Sequence, residues 1–306
     1  MEGRKLLFIF VDGVGVGPDG PANPFSVASY PNLEALYGGR LLDRPDSESI
    51  AMERRSPWLL DARLGVEGLP QSGTGQASLF TGVNCAAAAG RHYGPFPHTR
   101  TYDILRTRSV FARLLKTGCR AERLAFANAY PDRFFEYARL KNRWTVTTRC
   151  AVEAGIRIRT ESDLADGKAL AADITGQRFP NARSIGLPIT ISEASDRIVA
   201  LLDDHDYVLF EYFKTDKAGH SQQHELAAEA LRSVDTFLGE VLSRIDLEST
   251  TLVLTSDHGN IEDLSTRSHT LNPVPLLVAG PGREQFSSAH SLLDIVGPCV
   301  ACLNPT

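Results

Sequence analysis

Residues 252–260 read LVLTSDHGN, an apolar run that leads directly into Asp257 and His258. Short apolar strands in α/β proteins carry their functional residues at the carboxyl edge of the sheet. We therefore predict a buried strand that brings a carboxylate and an imidazole to one point, a ligand pair that suits Zn²⁺ or Mn²⁺. Gly259 allows the backbone to turn away tightly after this pair.

The composition of the 306-residue chain indicates an α/β protein with a large core, since 42% of its residues are hydrophobic. A net charge of -5 gives no reason to expect a nucleic-acid partner. No apolar stretch approaches the ~18 residues of a membrane span, and the start of the chain does not resemble a signal peptide. We expect a cytoplasmic protein that contacts neither membrane nor nucleic acid, and its oligomeric state is unknown.

Five apolar runs are typical of buried strands, and helical patterns lie between them. This alternation predicts an α/β fold with a mostly parallel sheet that is covered on both faces. The segment 131–188 is rich in Arg, Lys and Thr and has weaker periodicity, so we predict an inserted cap or substrate-binding segment there. The core would then comprise residues 1–130 and 189–306. The predicted strands are 6–11, 124–127, 207–212, 251–255 and 275–278, and the predicted helices include 110–117, 192–202 and 225–244.

Further candidate metal ligands lie at the ends of other predicted strands. Asp12 closes the first strand, and a glycine-rich stretch follows it. A dinucleotide fingerprint would need Gly at the strand end and a helix after it, so we interpret Asp12 as a carboxylate ligand. Asp216 and His220 are four residues apart and share a face if the turn after Thr215 is helical. His269 lies in a loop that enters the last strand.

Residues 69–82 read LPQSGTGQASLFTG and contain the candidate nucleophile. Small residues there leave backbone N–H groups free, and a helix could begin near Gly75. A hydroxyl at such a helix start faces a partial positive charge that suits phosphate. Ser72 is the first candidate and Thr74 the alternative, while a purely structural role as a helix cap is open for both.

Taken together, these motifs resemble the alkaline phosphatase superfamily, and most closely the metal-binding core of its cofactor-independent phosphoglycerate mutases. The resemblance implies an alkaline phosphatase-like three-layer sandwich with a small inserted cap. Two departures are clear: Gln76 stands where the mutase motif has His, and the chain is too short for the large insertion of that mutase. The stretches that carry the resemblance are VDG at 11–13, PNLEAL at 31–36, SGTGQ at 72–76, DKAGH at 216–220, TSDHGN at 255–260 and HTLNPVP at 269–275.

The resemblance also implies two divalent metal ions, Mn²⁺ or Zn²⁺, which would clamp the attacking and leaving oxygens of a phosphoryl transfer. A phosphoserine on the nucleophile would be the intermediate. One ion would be held by Asp216, His220 and His269, and the other by Asp12, Asp257, His258 and the Ser72 oxygen.

Three residues are candidates for substrate contacts. Arg91 could pair bidentately with a phosphate, and His92 could move a proton. Lys214 precedes Asp216 by two residues and could face the same cavity. Each of the three would be a solvated surface group on the alternative interpretation.

Three functions follow from these patterns. The first is a phosphomonoesterase that acts on a small phosphorylated metabolite, because the metal-binding set is complete and the mutase insertion is missing. The second is a phosphomutase, which the most similar motifs favour. The third is a non-catalytic metal-binding protein, against which the intact nucleophile argues.

Overall fold

The computed structural model describes residues 4–42 and 55–304. Its centre is one six-stranded sheet, and a pair of two-residue strands lies beside it. The strands are β1 (Lys5–Val11), β2 (Arg55–Leu60), β3 (Leu124–Phe126), β4 (Ala129–Tyr130), β5 (Arg159–Thr160), β6 (Tyr207–Tyr212), β7 (Thr250–Thr255) and β8 (Val274–Ala279).

Thirteen α-helices surround the sheet within the described ranges. They are α1 (Pro24–Val27), α2 (Pro31–Tyr37), α3 (Ser72–Thr81), α4 (Cys85–Ala89), α5 (Tyr102–Arg108), α6 (Val110–Lys116), α7 (Asp132–Lys141), α8 (Val146–Glu153), α9 (Glu161–Ala165), α10 (Ile191–Asp204), α11 (Lys214–Ser221), α12 (His224–Leu242) and α13 (Val296–Leu303).

The strand order of the large sheet is β2-β8-β7-β1-β6-β3. Strand β1 pairs in parallel with β6 and β7, and β3 pairs in parallel with β6. Only β8 runs against its neighbours, β7 and β2, among the strands described. The predicted α/β fold with a mostly parallel sheet is confirmed, and the carboxyl ends of β1, β6 and β7 meet at one edge.

Two hydrophobic cores cover the two faces of the sheet. Side chains alternate along a strand, so Leu7 and Ile9 of β1 enter one core while Phe8 and Phe10 enter the other. The first core is completed by α2, α10 and α12, and the second by α3, α6, α8 and α13. Burial on both faces explains why the central strands are apolar runs. The result is a three-layer sandwich.

All five predicted strands are present, and β2 is one that the sequence did not reveal. Strand β2 has the sequence RSPWLL, whose apolar run is only the three residues 58–60 and follows Pro57. The proline is tolerated because β2 is the edge strand next to β8, where the loss of one backbone N–H donor costs little stability.

The segment 131–188 contributes side chains to the hydrophobic cores on both faces of the sheet. Its helix α8 contributes Val146 and Cys150 to the second core, and Leu170 belongs to the first. A small third cluster around Leu164 and Leu187 joins the segment to Ala129 of β4. The division into a core and an inserted cap stays a prediction.

No helix in the two described ranges is long and apolar enough to cross a membrane. The five cysteines are all free, and Cys299 and Cys302 are buried on α13. The cytoplasmic location expected from the sequence stays a prediction.

Candidate metal centre

The sheet topology brings the predicted metal ligands to one edge. Asp12 follows β1, Asp257 and His258 follow β7, and Asp216 lies in the first turn of α11 after β6. Because these three strands are parallel neighbours, their carboxyl ends deliver the side chains to a common point. His269 joins them through the loop before β8, where Thr270 N–H donates to the Gly259 carbonyl at 2.9 Å.

Four side chains form what we call the inner group: Asp12, Ser72, Asp257 and His258. The Nε2 atom of His258 lies 3.0 Å from Ser72 Oγ, 3.3 Å from Asp12 Oδ1 and 3.5 Å from Asp257 Oδ2. All four residues are buried. A serine hydroxyl, two carboxylates and an imidazole therefore converge at one buried point.

Three side chains form what we call the outer group: Asp216, His220 and His269. His220 Nε2 is 3.4 Å from Asp216 Oδ2, and His269 Nε2 is 3.5 Å from Asp216 Oδ1. The two imidazole Nε2 atoms are 3.2 Å apart. The His269 ring stacks on that of His258 with centroids 3.7 Å apart, so the two groups are adjacent.

Ligand atoms of Asp12, Asp257 and His258 lie within 4.8 Å of one another, and so do those of Asp216, His258 and His269. His258 thus reaches both groups. The mixture of carboxylate oxygen and imidazole nitrogen fits Zn²⁺ and Mn²⁺ equally well. The assignment of single ligands to either ion stays a prediction.

Two buried carboxylate oxygens support the presence of a cation in the inner group. Asp12 Oδ1 and Asp257 Oδ2 make no hydrogen bond to any of the described residues. A buried carboxylate oxygen without a donor is strongly unfavourable unless a positive charge compensates it. The arrangement therefore fits a divalent ion at this position.

The pKa values of the protein groups differ between the inner and outer groups. Burial, and then the charge of Asp216, raises the pKa of Asp257 to about 7. Burial and the neighbouring Asp257 likewise raise the pKa of Asp12 well above its ordinary value. In the outer group, burial also opposes ionisation of Asp216, but the hydrogen bond from His220 and the charge of His258 outweigh it and lower its pKa.

The imidazoles also differ in charge preference. Burial lowers the pKa of His258, and burial together with the charge of His258 lowers the pKa of His269 to about 4. The hydrogen bond with Asp216 raises the pKa of His220, whose side chain is 44% exposed. His258 and His269 are therefore held in the neutral form that ligates metals.

The ring orientations of these residues are set by backbone carbonyls. His269 Nδ1 lies 2.6 Å from the Pro70 carbonyl oxygen, and His220 Nδ1 lies 2.7 Å from that of Arg267. With Nδ1 donating to a carbonyl, the Nε2 of neutral His269 is left as an acceptor that faces the centre, whereas His220 Nε2 lies against Asp216 Oδ2. Asp216 is held in turn by Asn260, whose Nδ2 donates to Asp216 Oδ1 at 2.6 Å.

A buried carboxylate that sequence reasoning missed, Glu262, joins the loops around the centre. It accepts hydrogen bonds from the amides of Gly15 and Asn260 and from the side chains of Thr270 and Asn272. A Cβ at either Gly15 or Gly259 would lie 2.2 Å from its Oε1. These contacts, which join distant parts of the chain, explain two of the glycines, and no local pattern marks Glu262 in the sequence.

The nucleophile segment forms α3, which begins at Ser72 rather than near Gly75 as predicted. The helix starts three residues earlier than predicted, and its first turn is joined to the rest of the chain by Thr74 N–H, which donates to the carbonyls of Gln71 and Tyr93. Thr74 Oγ1 also accepts from Tyr93 N–H at 3.0 Å. The Thr74 hydroxyl is thereby engaged in packing, while Ser72 Oγ faces His258.

Two backbone amides lie beside the Ser72 hydroxyl. The N–H groups of Ser72 and Gly73 donate to no acceptor among the described residues. Gly94 lies over them, and a Cβ at position 94 would be 3.3 Å from both nitrogens. A Cβ on Gly73 itself would be 2.1 Å from the Phe96 carbonyl oxygen. The start of α3 therefore offers two donors to an anion that approaches past Gly94.

Two more polar residues adjoin the inner group, and sequence reasoning gave neither a role. Gln76 Nε2 donates to Asp12 Oδ2 at 3.4 Å. Glu211 is buried on β6 and accepts from Thr147 Oγ1 at 2.6 Å. Burial raises the pKa of Glu211 to about 7, and the charge of Asp257 adds to the effect. A glutamate inside an otherwise apolar strand is a signal that could have identified it.

The predicted substrate residues do not join the two groups. His92 Nε2 lies 3.3 Å from the Val66 carbonyl, and the Arg91 guanidinium lies 5.7 Å from the centroid of the Tyr93 ring. Lys214 Nζ forms an ion pair with Glu229 Oε1 at 3.1 Å. Their predicted catalytic roles stay predictions.

The sequence and the fold of this chain were each compared with those of known proteins, and both point to related metal-dependent enzymes. Residues 189–304 match the family model described as the Metalloenzyme superfamily. The 2,3-bisphosphoglycerate-independent phosphoglycerate mutase of Pyrococcus abyssi is 40% identical over 106 residues, which are 33% of this chain and 25% of the mutase. The chain thus spans about a quarter of the length of this curated relative.

Two solved structures share the fold. The alkaline phosphatase from the Antarctic bacterium TAB5 superposes with a TM-score of 0.52 at 13% identity, over 99% of each chain. The phosphoglycerate mutase of Leishmania mexicana has a TM-score of 0.52 at 12% identity, over 99% of this chain and 96% of that one. Divalent metal ions are the cofactors that these relationships imply. The resemblance predicted from the motifs is therefore confirmed: residues 189–304 match the Metalloenzyme superfamily model, the sequence is similar to cofactor-independent phosphoglycerate mutases, and the fold is shared with an alkaline phosphatase.

Proposed function

We propose that this protein catalyses phosphoryl transfer through a phosphoserine on Ser72. The observation that carries the proposal is the position of Ser72 Oγ at the start of α3, 3.0 Å from His258 Nε2 and next to two carboxylates that each have one oxygen without a hydrogen-bond donor. Divalent cations bound by the inner and outer groups would lower the pKa of the serine hydroxyl and neutralise the transferred phosphoryl group. Mn²⁺ and Zn²⁺ both suit the ligand set.

The residues of the chain have distinct roles in this proposal. Ser72 Oγ attacks phosphorus, the bond to the leaving alcohol breaks, and the proton of Ser72 ends on that alcohol. The N–H groups of Ser72 and Gly73 donate to the phosphoryl oxygens, which gain charge in the transition state. Gln76 orients Asp12, and Asn260 orients Asp216.

Between the two fates of the phosphoserine, the isomerising one has the better support. The curated relatives are named as phosphoglycerate mutases, and the family model matches residues 189–304, which contain Asp216, His220, Asp257, His258 and His269. A phosphomutase would return the phosphoryl group to a second hydroxyl of the substrate. This ranking reverses the sequence-based expectation, which placed the phosphomonoesterase first.

Hydrolysis remains the second candidate because of one departure from the mutase motif. Gln76, where the mutase motif has His, donates to Asp12 and has no titratable group with which to move a proton. The phosphomonoesterase would transfer the phosphoryl group of Ser72 to water. The fold shared with an alkaline phosphatase is compatible with this reaction.

A metabolite panel distinguishes the two. Purified protein with Mn²⁺ or Zn²⁺ is incubated with small phosphorylated metabolites, and both free phosphate and isomerised esters are measured. Isomerised product without phosphate release supports the mutase, and stoichiometric phosphate supports the phosphomonoesterase. Absence of both, with the protein folded and metal bound, would leave a non-catalytic metal-binding protein.

The covalent step has its own test. Intact-protein mass spectrometry after an acid quench should show a gain of one phosphoryl group in the wild type and none in Ser72→Ala. The matched control is Ser288→Ala, since that serine is exposed and far from both groups in sequence. Full turnover by Ser72→Ala would contradict the proposal.

A further inference from the structure

A cavity of about 200 Å³ lies where the segment 131–188 meets α11. Neither group of candidate metal ligands lines it. Its walls come from the end of β4, from residues 171–180 and from the first turn of α11. The lining side chains on which the argument depends are three aromatic ones, Tyr130, Phe179 and Phe213, and three basic ones, Arg178, Lys214 and Lys217.

The size and walls of this cap–core pocket suit a small apolar body. At about 30 Å³ for each water, 200 Å³ equals roughly seven waters, which is room for one ring with its substituents. Tyr130 is held in place by stacking on Phe134, with ring centroids 4.2 Å apart. Aromatic walls with a few charged groups are the usual lining of a small-molecule site.

The charges in the pocket favour an anion. Among the residues the structure describes, Arg178 and Lys217 make no ion pair, and the Lys217 ammonium lies 4.1 Å from the centroid of the Phe213 ring. Lys214 shares its charge with Glu229. The buried Asp173 also lines the pocket, but its two oxygens accept the amides of Gly176 and Arg178.

The basic side chains are close enough to repel one another. Arg178, Lys214 and Lys217 all line this one cavity, and of the three only Lys214 has a carboxylate partner among the described residues. A carboxylate placed between Arg178 and Lys217 would relieve this repulsion.

Helix α11 connects the pocket to the metal centre. Asp216 and His220, four residues apart, point to the outer group from one face of the helix. Lys214 and Lys217, three residues apart, point into the pocket from the neighbouring face. A molecule in the pocket and a phosphoryl group at Ser72 would therefore lie on two sides of the same short helix.

We propose that the cap–core pocket binds the part of the substrate that is not transferred, and that this part is a ring-sized apolar body with a carboxylate. The proposal rests on the proposed function, since it supplies the substrate class of that phosphoryl transfer. Arg178 and Lys217 bind the carboxylate, and the three aromatic side chains enclose the ring.

The first experiment measures the pocket without any catalysis. Benzoate binding to the full chain in EDTA is followed by ligand-observed NMR, with benzyl alcohol as the uncharged analogue. We expect benzoate to bind more tightly than benzyl alcohol, and about tenfold more weakly to the Arg178→Met/Lys217→Met variant. Lys116→Met, which removes a charge from α6 on the other face of the sheet, should bind benzoate like the wild type. Equal benzoate binding by the wild type and the double variant would overturn the proposal.

The second experiment uses the metal-loaded enzyme and compares phenyl phosphate with meta- and para-carboxyphenyl phosphate. We expect kcat/KM of the wild type to favour one carboxylated ester by about tenfold, and the double variant to lose this preference while retaining phenyl phosphate turnover. An unchanged preference in the double variant would overturn the proposal. If no ester releases its phenol, not even in a burst stoichiometric with the enzyme, the proposed transfer to Ser72 fails, and the benzoate measurement still decides the pocket.

Discussion

The inner and outer groups contain similar side chains in opposite electrostatic situations. Asp12 and Asp257 of the inner group are buried carboxylates with raised pKa values and an oxygen each that lacks a donor. Asp216 of the outer group has a lowered pKa because His220 and Asn260 hydrogen-bond it. The inner group thus depends on a cation for its charge balance, whereas the outer group is largely balanced by its own side chains.

The difference in charge balance between the two groups can be tested most directly by replacing one carboxylate in each group. Asp257→Asn should lower kcat/KM by about 10³-fold or more, because a ligand beside the nucleophile is lost. The same change should raise the free energy of unfolding of the metal-free protein by about 1–3 kcal/mol, since it removes an uncompensated buried charge. Steady-state kinetics and urea unfolding in EDTA measure the two effects.

Asp216→Asn is the matched variant in the outer group. It should destabilise the metal-free protein by about 1 kcal/mol, because it weakens hydrogen bonds that already balance the charge. Urea curves that shift in the same direction for Asp216→Asn and Asp257→Asn would refute the distinction between the groups.

A pH experiment tests the charge preference of Glu211, the buried carboxylate beside the inner group. The pKa of Glu211 is raised to about 7 by burial, so the folded protein binds this proton more tightly than the unfolded chain does. The stabilisation is complete below the unfolded pKa of about 4.3 and is lost as the pH rises through about 7. Between about pH 5 and about pH 8, Glu211→Gln should gain stability relative to the metal-free wild type by on the order of 3 kcal/mol at most.

Thermal unfolding in EDTA across this range provides the measurement for Glu211→Gln. The exposed Glu225→Gln on α12 serves as the control and should show no such gain. A stability difference between Glu211→Gln and the wild type that does not depend on pH would contradict the prediction.

The two free amides at the start of α3 belong to the inner side as well. Gly94→Ala should place a methyl group 3.3 Å from the Ser72 and Gly73 nitrogens and hinder the phosphoryl oxygens. We expect kcat to fall by about 10²-fold, as when an oxyanion donor is lost, with metal content unchanged. Metal analysis and phosphate-release kinetics test this, and Gly20→Ala, where a Cβ would meet nothing within 4 Å, is the control. Unchanged kinetics of Gly94→Ala would remove the amides from the mechanism.

The smallest effect is expected in the outer group. His220 is 44% exposed, so His220→Ala should cost little stability but lower metal affinity by about tenfold. Titration with Mn²⁺ or Zn²⁺ followed by thermal shift gives both quantities, with His224→Ala as the control on α12. A larger loss of stability than of affinity would mean that His220 supports the fold instead.

Most of the sheet could be predicted from the sequence because it depends on local pattern, and the structure brings the seven candidate ligands into two adjacent groups, although their roles as ligands stay predictions. The central strands are buried on both faces and therefore read as apolar runs, and Asp12 and Asp257 follow such runs directly. The helical spacing of Asp216 and His220 is equally local. Parallel pairing then brings the strand ends together without further information.

The remaining features depend on contacts between distant segments. Glu262 is recognisable only once the loops after β1 and β7 are next to each other, and β2 only once β8 offers an edge. The sequence likewise could not show that His92 packs against Val66 or that Lys214 pairs with Glu229. His92 and Lys214 lie close to Ser72 and Asp216 in the sequence, but their side chains do not reach the two groups of candidate metal ligands.

The hydrogen bonds of Glu262 have a consequence for how this scaffold can change. Two loops, the one after β1 and the long connection between β7 and β8, are joined by hydrogen bonds to Glu262, and glycines at 15 and 259 leave the space for its side chain. A residue inserted into either of these loops would shift ligands that arrive from two other strands. We therefore expect variation in loop length, whether natural or engineered, to be tolerated away from this junction, for example in the segment 131–188, so that new substrates can be accommodated while the reaction stays the same.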